Sequence, residues 1–247
     1  MAISLGPEII FNIGSLKISN TLLATVLTDA VLISIVYFIN KNISAVPNFL
    51  QNLIESLINY LYSLTEQISG KFTNIIFPWF ASFFLFIFFS NILALMPGFG
   101  AFGFFHTKEG IKEFVPLFRA ATSDFNTTFA LAIVSVAATH ILSIKYNGIV
   151  SYLKRYFSFN PIYLFVGILE LISEITKLFS LSFRLFGNIY AGEVVMSTIS
   201  SLAAYLAPIP FLLLESIVAF VQALVFAMLT MVFMYILITP HSEGGEH

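Results

Sequence analysis

The chain of 247 residues is 58% hydrophobic and 10% charged, with a formal net charge of −2 and a mean hydropathy of +0.94. Soluble domains run near a quarter charged, so this is a membrane chain, and its length suits a single membrane domain over 1–247. The near-neutral balance argues against a nucleic-acid partner, and the lack of cysteine excludes disulfides, thiolate metal sites and a cysteine nucleophile. Four scattered histidines, His106, His140, His241 and His247, have no metal-ligand spacing, so neither a metal nor a cofactor is expected. MAISLGPEII has neither a basic leader with a cleavage site nor a transit pattern, and insertion is expected to rely on internal spans.

A helix needs about 20 mostly apolar residues to span a bilayer. The first span is expected over 19–40, interrupted by Asp29, which reads as a polar contact facing the bundle. Over 47–69, Leu50, Leu53, Ile54, Leu57, Ile58 and Leu61 recur at helical spacing, and Asn52, Glu55, Asn59 and Glu66 fill the other face. Pro47 opens this segment and Gly70 closes it, so it reads as an amphipathic helix on the membrane surface or against a partner. A second span covers 77–96 and a third 123–145, where Ser123 or Asp124 can cap the helix. His140 falls near the end of that third span and reads as helix-end packing.

Residues 161–204 contain no turn signal except Gly187 and Gly192. As one helix they would extend about 65 Å, twice the ~30 Å hydrocarbon core. The residues therefore leave two versions open: two spans turning near Arg184, or one strongly tilted helix. A last long helix follows over 208–238, and 239–247 is a polar tail.

On a helix, Glu170, Glu174, Lys177, Arg184 and Asn188 fall within about 80° of one another, one polar stripe on an apolar cylinder. Glu193 projects from the opposite face, and Glu215 and Gln222 are the polar groups of the last span. Folding 161–204 against 208–238 as a hairpin, with one turn near AAYLAPIP, sets Gln222 level with Arg184 and Glu215 level with Glu193. Carboxylates then lie on both sides of a fixed cation in depth, which describes two proton half-pathways separated by a barrier. Each ionisable residue at the bilayer centre costs about 2.5–3.5 kcal/mol on insertion scales, so the default reading of such a cluster is an ion path. The bland reading is mutual neutralisation, Glu170 or Glu174 with Lys177. It does not serve Arg184, which has no acid three or four residues away. Asp124, with Asn126 beside it, has two readings, a helix cap and a member of a proton inlet.

LSFRLFGNIYAGE, from Leu181 to Glu193, resembles the signature of the a subunit of F-type ATP synthases, the membrane stator beside the rotating c-ring. NTLLAT from Asn20, LFIFFSNILALMPG from Leu85, TSDFNTT from Thr122 and FVQALVFAMLT from Phe220 follow the same family in order. The resemblance implies an all-α polytopic membrane protein of about five transmembrane helices and one amphipathic surface helix, the last two long and tilted as a hairpin. It implies that Arg184 is the family's essential arginine, with Asn188 and Gln222 beside it. Glu193 and Glu215 match positions lining an inlet half-channel, and Glu170 a carboxylate on the outlet side. Many bacterial members carry a glutamate and a histidine where this chain has Glu193 and Glu215, which points here to two carboxylates sharing a proton. Glu174 and Asp29 have no counterpart role. The implied partners are the c-ring, the peripheral-stalk b subunits, the rest of the ATP synthase and the lipid bilayer.

The function expected is therefore a stator subunit that couples proton translocation to ATP synthesis and is not catalytic alone. The alternative is a self-contained secondary transporter, which would usually show repeated halves; a membrane enzyme lacks any metal motif, nucleotide loop or nucleophile dyad here. A bacterial plasma membrane is expected, with an organellar inner membrane as the alternative. The family pattern sets the N-terminus outside and the C-terminus in the cytoplasm. That leaves Lys41, Lys71, Lys145, Lys154 and Arg155 inside against Lys17, Lys108, Lys112 and Arg119 outside.

Overall fold

The computed structural model describes residues 6–13, 16–41, 47–96, 98–100, 102–108, 111–156, 161–202 and 207–239. Among them the chain is an all-α polytopic membrane fold with two small β-hairpins. Strands β1 (Ile9–Ile13) and β2 (Leu16–Ser19) pair antiparallel and lead into α1 (Asn20–Lys41). Then come α2 (Phe49–Ser69), α3 (Thr73–Leu95), the antiparallel pair β3 (Gly103–Lys108) and β4 (Ile111–Pro116), α4 (Phe125–Asn147) and the short α5 (Ile149–Tyr156). Two long helices close the chain, α6 (Pro161–Leu202) and α7 (Pro208–Ile238).

Helices α1, α4 and α7, and the stretch Gln51–Leu95 containing α3, are long and apolar enough to cross a membrane. The fifth long helix, α6, is a single uninterrupted run of 42 residues, so the reversal near Arg184 does not occur. At 1.5 Å per residue it is about 63 Å long and must run obliquely to fit a bilayer. It packs along α7. The turn expected near AAYLAPIP begins at 203–206, outside the described residues, as do 240–247 of the polar tail with His241 and His247.

The core is α3 against α7. Phe80, Phe84 and Ile87 are buried with Phe226, Met231 and Met234, and the Phe83 and Phe226 rings lie 5.7 Å apart. Along α7, Ala219, Ala223 and Ala227 are fully buried one turn apart, which lets neighbouring backbones approach closely. Hydrogen bonds join the helices inside this apolar packing. Ser135 and Thr230 hydroxyls meet at 2.7 Å, and Ser143 donates to the Leu237 carbonyl at 2.9 Å. Asn147 donates to the same carbonyl at 2.8 Å. Such bonds contribute about 0.6 kcal/mol each on average in membranes, so apolar packing supplies most of the adhesion.

One expectation for α1 is corrected. Asp29 does not face the bundle but is exposed. The buried residues of α1 are Asn20, Thr21, Ala24 and Thr28, an arc of about 100° from which Asp29 points away at 100° per residue. The polar stretch before α4 carries the β3–β4 hairpin. Phe11 of β1 contacts Phe104 of β3 edge to face at 6.5 Å, so both hairpins sit at the same end of the bundle.

Candidate functional site

Three polar clusters lie along α6. At the hairpin end, Arg119, in the segment before α4, donates from Nε to Glu193 Oε2 at 3.1 Å and from Nη1 to the Gly6 carbonyl at 3.2 Å. Its guanidinium carbon lies 5.9 Å from the centre of the Tyr190 ring. The Arg119 side chain is 8% exposed and that of Glu193 22%. Glu215, on the buried face of α7, sets its carboxyl directly against Gly192, where any β-carbon would overlap Oε1. Glu193 and Glu215 thus stand at the same level of the α6–α7 hairpin, and only a glycine at 192 leaves room for the Glu215 carboxyl.

Asp124 caps α4. Its Oδ1 accepts from the Asn126 backbone at 2.9 Å and from Asn126 Nδ2 at 3.1 Å, and its Oδ2 accepts from Thr21 Oγ1 of α1 at 2.9 Å. The cap accounts for Oδ1 and the contact with α1 for Oδ2, and Asn126 itself is exposed. Next to the cap, Thr122 donates to the buried Asn91 of α3.

The middle cluster is Arg184, Asn188 and Gln222. Asn188 Nδ2 donates to Gln222 Oε1 at 2.7 Å, tying α6 to α7. The hairpin thus pairs Gln222 with Asn188, one turn beyond Arg184, rather than with Arg184 itself. Arg184 is exposed, and its hydrogen bond to Ser180 Oγ is long at 3.4 Å. Among the described residues no carboxylate reaches it. Its same-face neighbours on α6 are Ser180, Leu181 and Asn188, so this guanidinium stands on the open part of the polar stripe.

The third cluster lies toward the start of α6 and ties α4, α5 and α6 together. Glu170 is ion-paired with Arg155 of α5. Glu174, 8% exposed, accepts from Lys177 Nζ at 2.8 Å, and its other oxygen lies 3.7 Å from His140 Nε2 of α4. The other ring nitrogen of His140 meets the Tyr152 hydroxyl at 3.0 Å. Gly167 makes this docking possible, because a β-carbon there would collide with the Tyr156 carbonyl that ends α5. The stripe expected along α6 is therefore split: Glu170 and Glu174 are covered by α4 and α5, while Arg184 and Asn188 stay open.

Sequence reasoning missed Arg119, His140, Tyr152 and Arg155 as partners. Their signal was indirect: Glu170 and Glu193 lack an opposite charge within one helical turn of their own segment, so each needed a cation from elsewhere. Nothing in the sequence said which one.

A family model described as "ATP synthase A chain" matches residues 22–235, nearly the whole bundle just described. The chain belongs to the ATP synthase A chain family. It is 32% identical over 232 residues to "ATP synthase subunit a" of Syntrophobacter fumaroxidans, covering 92% of this chain and 88% of that one. A Geotalea daltonii protein of the same name is 32% identical over 213 residues, 85% of this chain and 83% of its own. That of Moorella thermoacetica is 28% identical over 227 residues, with 92% and 94% covered. Family membership fits a membrane subunit of apolar helices. The match also takes in the segments that hold Arg119 to Asn126, Glu170 to Glu193 and Glu215 to Gln222 together.

Proposed function

We propose that this chain is the stator a subunit of an F-type ATP synthase, assembled with the rest of that complex in a bacterial plasma membrane. It is not catalytic alone. It offers two proton half-channels and turns Arg184 toward a rotating c-ring, with peripheral-stalk b subunits as further neighbours. The observation that carries this reading is Arg184: a permanent cation exposed on a membrane-spanning hairpin, out of reach of any described carboxylate. Arginine suits this place because its pKa is too high for it to give up its own proton.

On this reading Glu193 and Glu215 line the inlet, with Asp124 and Asn126 at its rim, and Glu170 lies on the outlet side. Arg184, flanked by Asn188 and Gln222, separates the two. A ring carboxyl that meets the guanidinium is favoured in its ionised form, whereas the protonated form can travel through lipid the long way round. Protons then cannot pass straight from inlet to outlet past the fixed charge. The driving force is about 2.3 kcal/mol per charge per 100 mV, so even a modest leak would dissipate it.

The inlet half of this reading is tested with E193L/E215L and E215H in inverted vesicles that carry the whole complex. E215H should retain ATP-driven acidification, because a titratable group remains. E193L/E215L should abolish it, and pumping at the normal rate by that double variant would contradict the inlet.

A further inference from the structure

Lys177 is a second cation beside Arg184, seven residues earlier on α6 and therefore about 10 Å away along the helix axis. Both side chains line one open groove of about 420 Å³ between α6 and α7, together with Ser180, Leu229 and Phe233. Their surroundings differ. Lys177 is held from two sides: its Nζ donates to Glu174 Oε1 at 2.8 Å and lies 4.5 Å from the centre of the Phe233 ring. Arg184 has a long bond to a hydroxyl and nothing anionic among the described residues.

We infer that Glu174 is a positioning residue that neutralises and tethers Lys177, so that Arg184 is the single uncompensated cation a passing carboxylate meets in this groove. The inference rests on the stator reading above. Glu174 suits the task because it is buried and itself fixed from α4, where His140 lies 3.7 Å from its second oxygen. Tyr152 in turn holds the other side of that imidazole at 3.0 Å. The carboxylate is buried between Lys177 and His140 and does not line the groove that holds Arg184. Lys177 has a flexible four-carbon stem and a compact ammonium group. Released from Glu174, it could follow an anion leaving Arg184 and hold it. Two cations in series along the path would detain each ring carboxylate twice, and rotation would slow without loss of the barrier against leakage.

The test is ATP-driven acidification of inverted vesicles containing the whole complex, with rates divided by the amount of assembled ATP synthase. Three variants are compared: E174Q, K177Q and E174Q/K177Q. E174Q keeps the shape and hydrogen-bonding capacity of the side chain but leaves the ammonium uncompensated. Its rate should fall roughly tenfold, near the solvent-screened end of the range for a new charge pair at contact distance, as suits an open groove. K177Q should pump within about twofold of the parent per assembled complex, because its amide can still donate to Glu174 and no second cation faces the groove. E174Q/K177Q should recover to the K177Q rate. A double variant as slow as E174Q, or unable to assemble, would show that Glu174 acts through the fold and would overturn the inference. Normal pumping by E174Q would overturn it as well. These outcomes are separate from the stator reading, which is tested on variants of Arg184, Glu193 and Glu215.

Discussion

Asn188 of α6 and Gln222 of α7 are joined by a hydrogen bond of 2.7 Å, one helical turn from the exposed Arg184. The bond fixes the axial register of the long hairpin at the level of the cation. Gln222 is 4% exposed, and its Nε2 has no partner among the described residues.

The register can be trapped directly. The chain has no cysteine, so introduced thiols carry no background. N188C/Q222C in the assembled complex should link with a short bis-thiol reagent, and a pair one turn out of step, N188C/Val218→Cys, should link far less. Equal yields for the two pairs would mean that the hairpin slides.

Gly192 makes a second register point checkable. A methyl group there would overlap the Glu215 carboxyl, so Gly192→Ala should slow proton pumping severalfold, and shortening the acid in G192A/Glu215→Asp should restore much of the rate. If G192A pumps normally, the two helices are further apart at this level than described here.

Arg119 and Glu193 form a largely buried pair between the segment before α4 and α6. Arg119→Leu leaves the carboxylate without its charge-assisted bond, a loss of about 1.5–3 kcal/mol. The variant complex should dissociate at a lower temperature in detergent. An unchanged midpoint would mean that the pair contributes little to holding the hairpin end.

The spans and the amphipathic α2 were legible because apolar periodicity and length are local signals. The polar pattern of α6 was legible too, since Glu170, Glu174, Lys177, Arg184 and Asn188 share one arc of a helix. Its continuity was not, because glycines such as Gly187 and Gly192 can mark either a turn or a close approach, and the partner decides which. Here Gly192 serves the Glu215 carboxyl. The β3–β4 hairpin had little signal, because its two strands mix Phe and Val with His, Lys and Glu and show no clean alternation. His140 looked like packing because its partners, Tyr152 and Glu174, are 12 and 34 residues away and on other helices. Long-range pairings of this kind depend on how helices dock, and no periodicity reports that.

Membrane orientation follows from the same account. Reporter fusions after Lys108 should lie outside, and fusions after Lys154 and at the C-terminus should lie in the cytoplasm. Finding the Lys108 and C-terminal reporters on one side would contradict the arrangement of α4, α6 and α7 as three crossings.

The central claim concerns Arg184 and has a direct test. Inverted vesicles are prepared with the parent complex, Arg184→Ala and Arg184→Lys, each checked for assembly, and ATP-driven acidification is followed. The alanine variant should assemble but fail to acidify the lumen, because nothing separates inlet from outlet. The lysine variant should also fail to couple, since an ammonium group can shed a proton when desolvated and a guanidinium cannot. Normal acidification by the alanine variant would mean that Arg184 is a structural charge and that the barrier lies elsewhere.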